Sequence, residues 1–434
     1  MNEHHTDAEM DARATGTVRI SEDTIATSVA FALVGLTPVL LGLLTWDLAG
    51  SSRPPHNLIR LTGFPVAFVE LIVIVLALRR GFEPWKTVRG WPSWMQAALL
   101  VIILIAFADA AFVAPGGLSS ALRSCMALVH LLFALGVAHL CSVSEQWRGK
   151  APWIAIVAGM VAYLALLACF VALIPDPGRF NWLHLGLGVM NIRHVGFFSA
   201  VGAAAALGLC AGAASSRAFL AALAAAAVMF GLSFWSGSRG PIAGVIAAFA
   251  LGLLLVPALR TRRAVLALFV SVPAGAALSL LHSVPNPHYG IARLATAASQ
   301  SSVEAASSGR IALWAGTWRE ILHRPLFGHG EGQLMLIVPE ALRAFHHPHN
   351  AVLQAIFQWG FVGAACALAL GLVAGRACYR NVRIAGAALA CPFLVAATLL
   401  IMSLHDGTLF FGYPLMLVAL SLGVMGNPRL SARH

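Results

Sequence analysis

Twelve long apolar stretches separated by short polar segments are the feature that most constrains this chain. Hydrophobic residues make up 59% of its 434 positions and charged residues only 10%, whereas a soluble domain needs roughly 25% charged residues. About 20 apolar residues in a helix span the hydrocarbon core of a bilayer. We therefore predict an all-α polytopic membrane protein with about 12 transmembrane helices. The predicted spans are 24–46, 64–78, 94–114, 121–143, 153–174, 194–214, 218–235, 242–259, 264–281, 351–373, 384–404 and 409–425.

The basic residues predict how these spans are oriented. If the N-terminus is cytoplasmic, 17 of the 28 lysines and arginines fall on the cytoplasmic side, with the highest density in short loops. Short loops rich in Lys and Arg stay in the cytoplasm. We expect a cytoplasmic tail over 1–23, spans one to nine over 24–281, a large outer loop over 282–350, and the last three spans with a short cytoplasmic tail over 351–434. Residues 1–23 show no signal-peptide pattern, so the first span is expected to remain as an anchor.

The outer side of this predicted topology retains 11 basic residues, and all of them are arginine. Only seven acidic residues accompany them there. Arginine binds phosphate oxygens through two parallel hydrogen bonds and remains charged, so these residues indicate a ligand that carries phosphate. The alternative is that they pair with lipid headgroups or with the seven acids.

Three of these arginines lie where a predicted helix begins. Arg310 is in the first turn of a loop helix, Arg239 lies in a turn between spans seven and eight, and Arg193 precedes span six. A cation in a first helical turn opposes the helix dipole, and an anion bound to the free N–H groups would remove that conflict. We interpret the three as candidate phosphate ligands, although a plain hairpin turn also accounts for the residues around Arg239.

The loop over 282–350 is the longest outer segment and the expected place of function. A helix is predicted over 308–322, with Ser307 or Ser308 as its cap. A second amphipathic stretch over 333–345 has the pattern of a helix that lies on the membrane surface. The glycine-rich turn between them lacks the lysine and Ser/Thr of a nucleotide-binding loop.

The densest polar cluster, at 345–350, directly precedes the tenth predicted span. Asn350 is the predicted N-cap of that span. His349 then lies at the positive end of a helix dipole, which favours a neutral ring that can accept a proton, as a general base does. Two alternatives remain, namely histidines at a membrane interface and zinc ligands. Zinc would need further ligands, and because the loop has no cysteine and few acids, we predict no metal site.

Glu70 and Asp109 are the only carboxylates predicted inside the membrane. Such residues usually face a cavity or a partner, which keeps open a secondary transporter of an anionic solute. Transporters usually contain repeated halves, and this sequence shows no convincing repeat. A more modest interpretation is that both pack against Arg, Ser or His within the bundle.

Four short motifs, in their order and spacing, resemble the signature of the O-antigen ligase and O-antigen polymerase superfamily. They are Ser236-Gly237-Ser238-Arg239-Gly240, Ser308-Gly309-Arg310-Ile311-Ala312-Leu313-Trp314, His323-Arg324-Pro325-Leu326-Phe327-Gly328-His329-Gly330, and His349-Asn350-Ala351-Val352-Leu353-Gln354 with Gly360 beyond it. Twelve spans with one large, late outer loop are also the layout of that family. The resemblance covers most of the chain and is strongest over 190–365.

The resemblance implies a glycosyltransferase of the GT-C type in the bacterial inner membrane, with a periplasmic active site. The donor would be O-antigen on undecaprenyl diphosphate and the acceptor a sugar hydroxyl of lipid A-core, with inversion and without a metal or another cofactor. His349 would be the general base, and Arg193, Arg239 and Arg310 would bind the diphosphate. Supporting residues would be His347, Asn350 and His194.

Other activities share these motifs, and among them we favour the ligase. An O-antigen polymerase joins one repeat to another on the same lipid carrier. A protein O-oligosaccharyltransferase uses a serine or threonine of a pilin-like protein as acceptor. The expected partners are the donor, the acceptor and membrane lipids, and we expect no nucleic acid.

Overall fold

The fold is taken from a computed structural model, which describes residues 22–49, 56, 59, 63–282, 290–296, 309–341 and 345–427. These residues form helices joined by short loops and contain no β-strand. The helices named below are α1 (Glu22–Leu44), α2 (Phe64–Arg79), α3 (Ser93–Phe112), α4 (Gly117–Val143), α5 (Ala151–Leu173), α6 (Ile192–Ala211), α7 (Ser216–Trp235), α8 (Arg239–Leu255), α9 (Arg262–Ser279), α10 (Arg310–His323), α11 (Ala351–Ala385), α12 (Ala390–Ser403) and α13 (Gly412–Met425).

Each predicted span coincides with one helix, and α10 lies in the predicted large loop. Among the described residues, eight stretches are long and apolar enough to cross a bilayer, and the last of these contains both α11 and α12. Helices α8 and α13 are apolar but shorter. The all-α polytopic membrane fold is confirmed. The crossing of all twelve helices stays a prediction, and most of the two predicted tails lies outside the described residues.

Helix α6 forms the centre of the bundle and packs against α5, α7 and α12. Its residues 203–207 are fully buried. Helices α1 and α5 cross at Gly35 and Gly159, where a Cβ on either residue would overlap the opposing backbone. Small residues at such crossings let helices approach closely, which is how helices commonly associate in membranes.

Helix α11 is interrupted at Gly360, whose φ of 63° and ψ of −176° are not helical. A Cβ at this position would overlap the carbonyl of Leu326. Four backbone hydrogen bonds of 2.7–3.2 Å join the glycine-rich turn at 325–330 to both sides of the break. The turn thus pairs backbone groups that an interrupted helix leaves without helical partners.

The second half of the large loop differs from its prediction. In place of a helix over 333–345, the described residues form a one-turn helix, Leu334–Ile337, and a 3₁₀ turn, Pro339–Ala341. Their apolar side chains join a small core with α10 and α11. Its members are Leu313, Ile321, Leu334, Val338, Ala341 and Phe357. The prediction of an interfacial helix is wrong, because proline disrupts helical hydrogen bonding and because protein, not lipid, covers the apolar face.

Candidate active site

His349, directly before α11, is held by two polar contacts. Its φ of 54° makes it the only described residue other than glycine with a positive φ. Such a conformation costs about 1–3 kcal/mol and persists where surrounding contacts fix it. The Nδ1 atom lies 2.9 Å from Oδ1 of Asp406, and the backbone N–H donates to Nδ1 of His347 at 3.2 Å. These contacts aim the ring at Asp406.

Asp406 fixes the tautomer of His349. Because a carboxylate only accepts hydrogen bonds, Nδ1 carries the proton and Nε2 keeps a lone pair. Burial raises the pKa of the Asp406 carboxyl, but the hydrogen bond from His349 and the charge of Arg310 hold it below its usual range. Asp406 is therefore ionised at neutral pH, and Nε2 of His349 can accept a proton.

Asn350 ties the start of α11 to the loop that carries Asp406. Its Oδ1 accepts hydrogen bonds from the backbone N–H groups of Val352 and Leu353, both at 3.0 Å. Its Nδ2 donates to the carbonyl of Leu404 at 3.0 Å. The predicted N-cap is confirmed, and its amide group holds the two halves of the site together.

Arg310 lies against the other oxygen of Asp406. It is the first residue of α10, whose N-cap is Gly309 with a φ of 78°. The prediction of Ser307 or Ser308 as the cap is therefore wrong, because the helix begins later than expected. Nη1 donates to the carbonyl of His405 at 2.5 Å, and Nη2 lies 3.6 Å from Oδ2 of Asp406. The side chain remains 28% exposed, so the guanidinium can also contact a ligand.

Arg239 and Arg193 begin helices beside the same loop. Arg239 is exposed and opens α8, and its neighbour Gly240 lies against His405, where a Cβ would be 2.9 Å from Nε2 of that ring. Arg193 is in the first turn of α6, and its carbonyl accepts a hydrogen bond from Ser238 Oγ at 2.8 Å. Three helix starts with arginines thus meet near Asp406. Binding of a diphosphate by these arginines stays a prediction.

His347 and His194 pack beside the His349–Asp406 pair. The rings of His347 and His349 are 4.2 Å apart between centroids. Burial lowers the pKa of His347 well below its usual value, so this ring is neutral. The ring of His194 contacts Phe197 and Phe411 at centroid distances of 4.9 and 4.8 Å. These contacts are compatible with the supporting role expected for both histidines.

Glu70 is paired within the bundle. Its Oε1 lies 2.6 Å from Nδ1 of His130 on α4, and Glu70 is fully buried. Asp109 is also buried and lies within electrostatic range of Arg324. For Glu70, the interpretation that it packs against a histidine is confirmed, and this pairing weakens the case for a transporter.

Sequence reasoning did not include Asp406 among the site residues. It lies 57 residues after His349, and no local motif joins the two. The available signal was its position, because Asp406 is the only acid in the last predicted outer loop. In the part of the chain that the structure describes, no three His, Cys, Asp or Glu side chains are grouped to hold a metal ion.

One comparison bears on this geometry. Residues 224–368, a third of the chain, match a family model described as O-antigen ligase. We refer to 224–368 as the O-antigen ligase domain, after the family to which this segment is similar. The resemblance found in the sequence motifs is thereby confirmed. Within the O-antigen ligase domain lie Arg239, Arg310, His347, His349 and Asn350.

The O-antigen ligase domain does not include the whole site, since Arg193 precedes it and Asp406 follows it. No curated protein matches the chain. Together with the many apolar helices, the domain indicates a bacterial membrane protein related to the glycosyltransferase-like enzymes that process O-antigen.

Proposed function

We propose that this protein is an O-antigen ligase that transfers O-antigen polysaccharide from undecaprenyl diphosphate to a sugar hydroxyl of lipid A-core. The supporting observation is the His349–Asp406 pair with Arg310 on the second carboxylate oxygen. Transfer from a diphosphate needs a base for the acceptor hydroxyl and positive charge for the leaving group. In this proposal the membrane is the bacterial inner membrane, the loop over 282–350 is periplasmic, and both tails are cytoplasmic.

The proposed reaction is a single displacement. Nε2 of His349 takes the proton of the acceptor hydroxyl while the hydroxyl oxygen bonds to the anomeric carbon of the donor. The bond from that carbon to the diphosphate oxygen breaks, and its electron pair leaves with undecaprenyl diphosphate. Attack opposite the leaving group inverts the anomeric centre. Asp406 stabilises the imidazolium, and Arg193, Arg239 and Arg310 stabilise the departing diphosphate without a metal ion.

Transfer by purified protein in proteoliposomes tests this proposal. The substrates are undecaprenyl-diphosphate O-antigen and lipid A-core, with a chelator and no added metal. We expect transfer to persist with chelator and to fall by about 10²–10⁴-fold in His349→Ala, the usual contribution of a general base. His282→Ala, which changes an exposed histidine at the same end of the bundle, should stay near wild type. Full transfer by His349→Ala, or its loss with chelator, would contradict the mechanism.

The same preparation separates the ligase from its rivals by the product formed. A polymerase lengthens the donor glycan when lipid A-core is omitted. A protein O-oligosaccharyltransferase glycosylates a pilin-like protein supplied in place of lipid A-core. A transporter moves an anionic solute across the vesicle membrane and forms no new glycosidic bond.

A further inference from the structure

A cavity whose largely apolar lining includes several polar side chains lies between α4, the first turns of α11 and the start of α13. Its volume of about 240 Å³ equals about eight water molecules at roughly 30 Å³ each, which is enough for a single sugar ring. The polar residues that line it are Arg123, His130, Glu331, Gln354, Gln358 and Trp359. Polar groups among membrane helices are costly and generally serve a function.

Two amide side chains face this cavity with their hydrogen-bonding groups unused. Within the part of the chain described here, the side chains of Gln354 and Gln358 make no hydrogen bond. Gln358 is only 5% exposed, and a buried amide normally has a partner. Each amide offers both donors and an acceptor. The lining therefore suits a ligand whose own groups can both donate and accept hydrogen bonds.

The charges of the lining largely offset each other. Arg123 and Glu331 are within electrostatic range, and Oε1 of Glu331 accepts a hydrogen bond from Nε1 of Trp359 at 3.0 Å. The guanidinium of Arg123 also lies over the ring of Phe410, 4.0 Å from its centroid. A lining with balanced charge, amides and aromatic faces suits a neutral polar ligand better than a phosphate.

Neither Arg310 nor Asp406 lines the cavity. Asp406 uses Oδ1 for His349 and Oδ2 for Arg310. The cavity is lined instead by Ala351 and Gln354, in the turn of α11 that directly follows His349. In an inverting displacement, the acceptor and the leaving group occupy opposite faces of the anomeric carbon. With the diphosphate at the arginines, the cavity, which Arg193, Arg239 and Arg310 do not line, is left for the acceptor.

We infer that this cavity binds one neutral sugar ring of the acceptor and so brings one of its hydroxyls to His349. This inference rests on the proposed function and names the subsite that selects the acceptor. The hydroxyls pair with Gln354 and Gln358, and the apolar ring face packs on the aromatic side chains of Trp359 and Phe410. The two glutamines thereby become residues that determine acceptor specificity.

The test measures acceptor binding and transfer in lipid nanodiscs. Gln358→Leu removes the buried amide at similar volume, Gln354→Leu does so one turn earlier, and Ala355→Phe fills the cavity. We expect the KM for lipid A-core to rise about tenfold, as for the loss of one amide's hydrogen bonds, with the KM for the donor unchanged. Direct binding of lipid A-core without donor should weaken in parallel. Ala365→Phe, at an exposed position of the same helix, serves as control and should match wild type.

Three results would overturn the inference. One is an acceptor KM within twofold of the Ala365→Phe control in Gln358→Leu and Ala355→Phe. Another is an equal rise in both KM values, and the third is no binding of lipid A-core by the wild-type protein. The proposed mechanism fails by a different result, namely full transfer by His349→Ala, which leaves the binding comparison valid.

Discussion

Replacing Asp406 by asparagine separates the charge of this residue from its geometry. Oδ1 accepts hydrogen bonds from Nδ1 of His349 at 2.9 Å and from the backbone N–H of Gly407 at 2.8 Å. Oδ2 faces Arg310. Because two donors point at the Oδ1 position, the asparagine oxygen takes that place and its NH₂ group faces Arg310. His349 keeps its tautomer in Asp406→Asn and loses only the neighbouring negative charge.

The expected loss follows from the stabilisation of the imidazolium in the transition state. Two unit charges at 4 Å attract by about 4 kcal/mol at an effective dielectric constant of 20. The side chains of His349 and Asp406 are 14% and 17% exposed, so solvent screening brings the expected range to about 2–4 kcal/mol. That corresponds to a kcat lower by about 30- to 900-fold. The donor KM should not rise, since Arg310 keeps its charge and loses only its acidic partner.

Initial transfer rates in proteoliposomes check this, with size-exclusion profiles to show that the variant is folded. Asp176→Asn is the matched control, because Asp176 is an exposed carboxylate paired with Arg179 at the same end of the bundle, and it should stay within twofold of wild type. An Asp406→Asn rate within threefold of wild type would refute a role for the charge. A loss above about 10⁴-fold would show that the amide has turned and holds the wrong tautomer.

Three further substitutions test the diphosphate site, the break in α11 and the buried Glu70–His130 hydrogen bond. Arg310→Lys keeps the charge but loses the planar fork, so transfer should fall by about 10- to 100-fold in the same assay, and near-normal turnover would indicate simple charge attraction. Gly360→Ala forces a Cβ against backbone at a positive φ and should lower the Tm in detergent by several degrees. Gly371→Ala, with open space around it, should not lower it. Glu70→Ala removes the buried hydrogen-bond partner of His130 and should destabilise the protein by about 1–3 kcal/mol, seen as a lower Tm, while the kcat of the folded fraction is retained. A large fall in that kcat with an unchanged Tm would place the pair in the reaction.

The helices could be predicted from the sequence because lipid allows so few structures. In a bilayer every backbone polar group must be paired within the protein, so a long apolar stretch becomes a helix whatever its neighbours are. Local signals also sufficed at Asn350, where the N-cap follows from a few adjacent residues. They did not suffice at the start of α10, where Gly309 and not a serine is the N-cap.

Features that depend on contacts between distant segments could not be predicted in this way. Asp406 reaches His349 from a loop 57 residues later. The apolar residues after Gln333 repeat at helical spacing, but that spacing does not say whether α11 or lipid covers them. Gly360 is one of 40 glycines. Only the fold shows that the turn at 325–330 forms hydrogen bonds with the helix on both sides of this glycine.

The break at Gly360 gives a physical reason for that turn and for the glycine. Between Asn350 and Gly360, α11 is a short segment held at both ends, by the Asn350–Leu404 hydrogen bond at one and by the turn at 325–330 at the other. This segment follows directly on His349 and carries Gln354 and Gln358. The same turn leads into Glu331, which completes the cavity wall. A continuous helix would remove the anchoring contacts that fix the base relative to the cavity, so the site depends on the interruption itself.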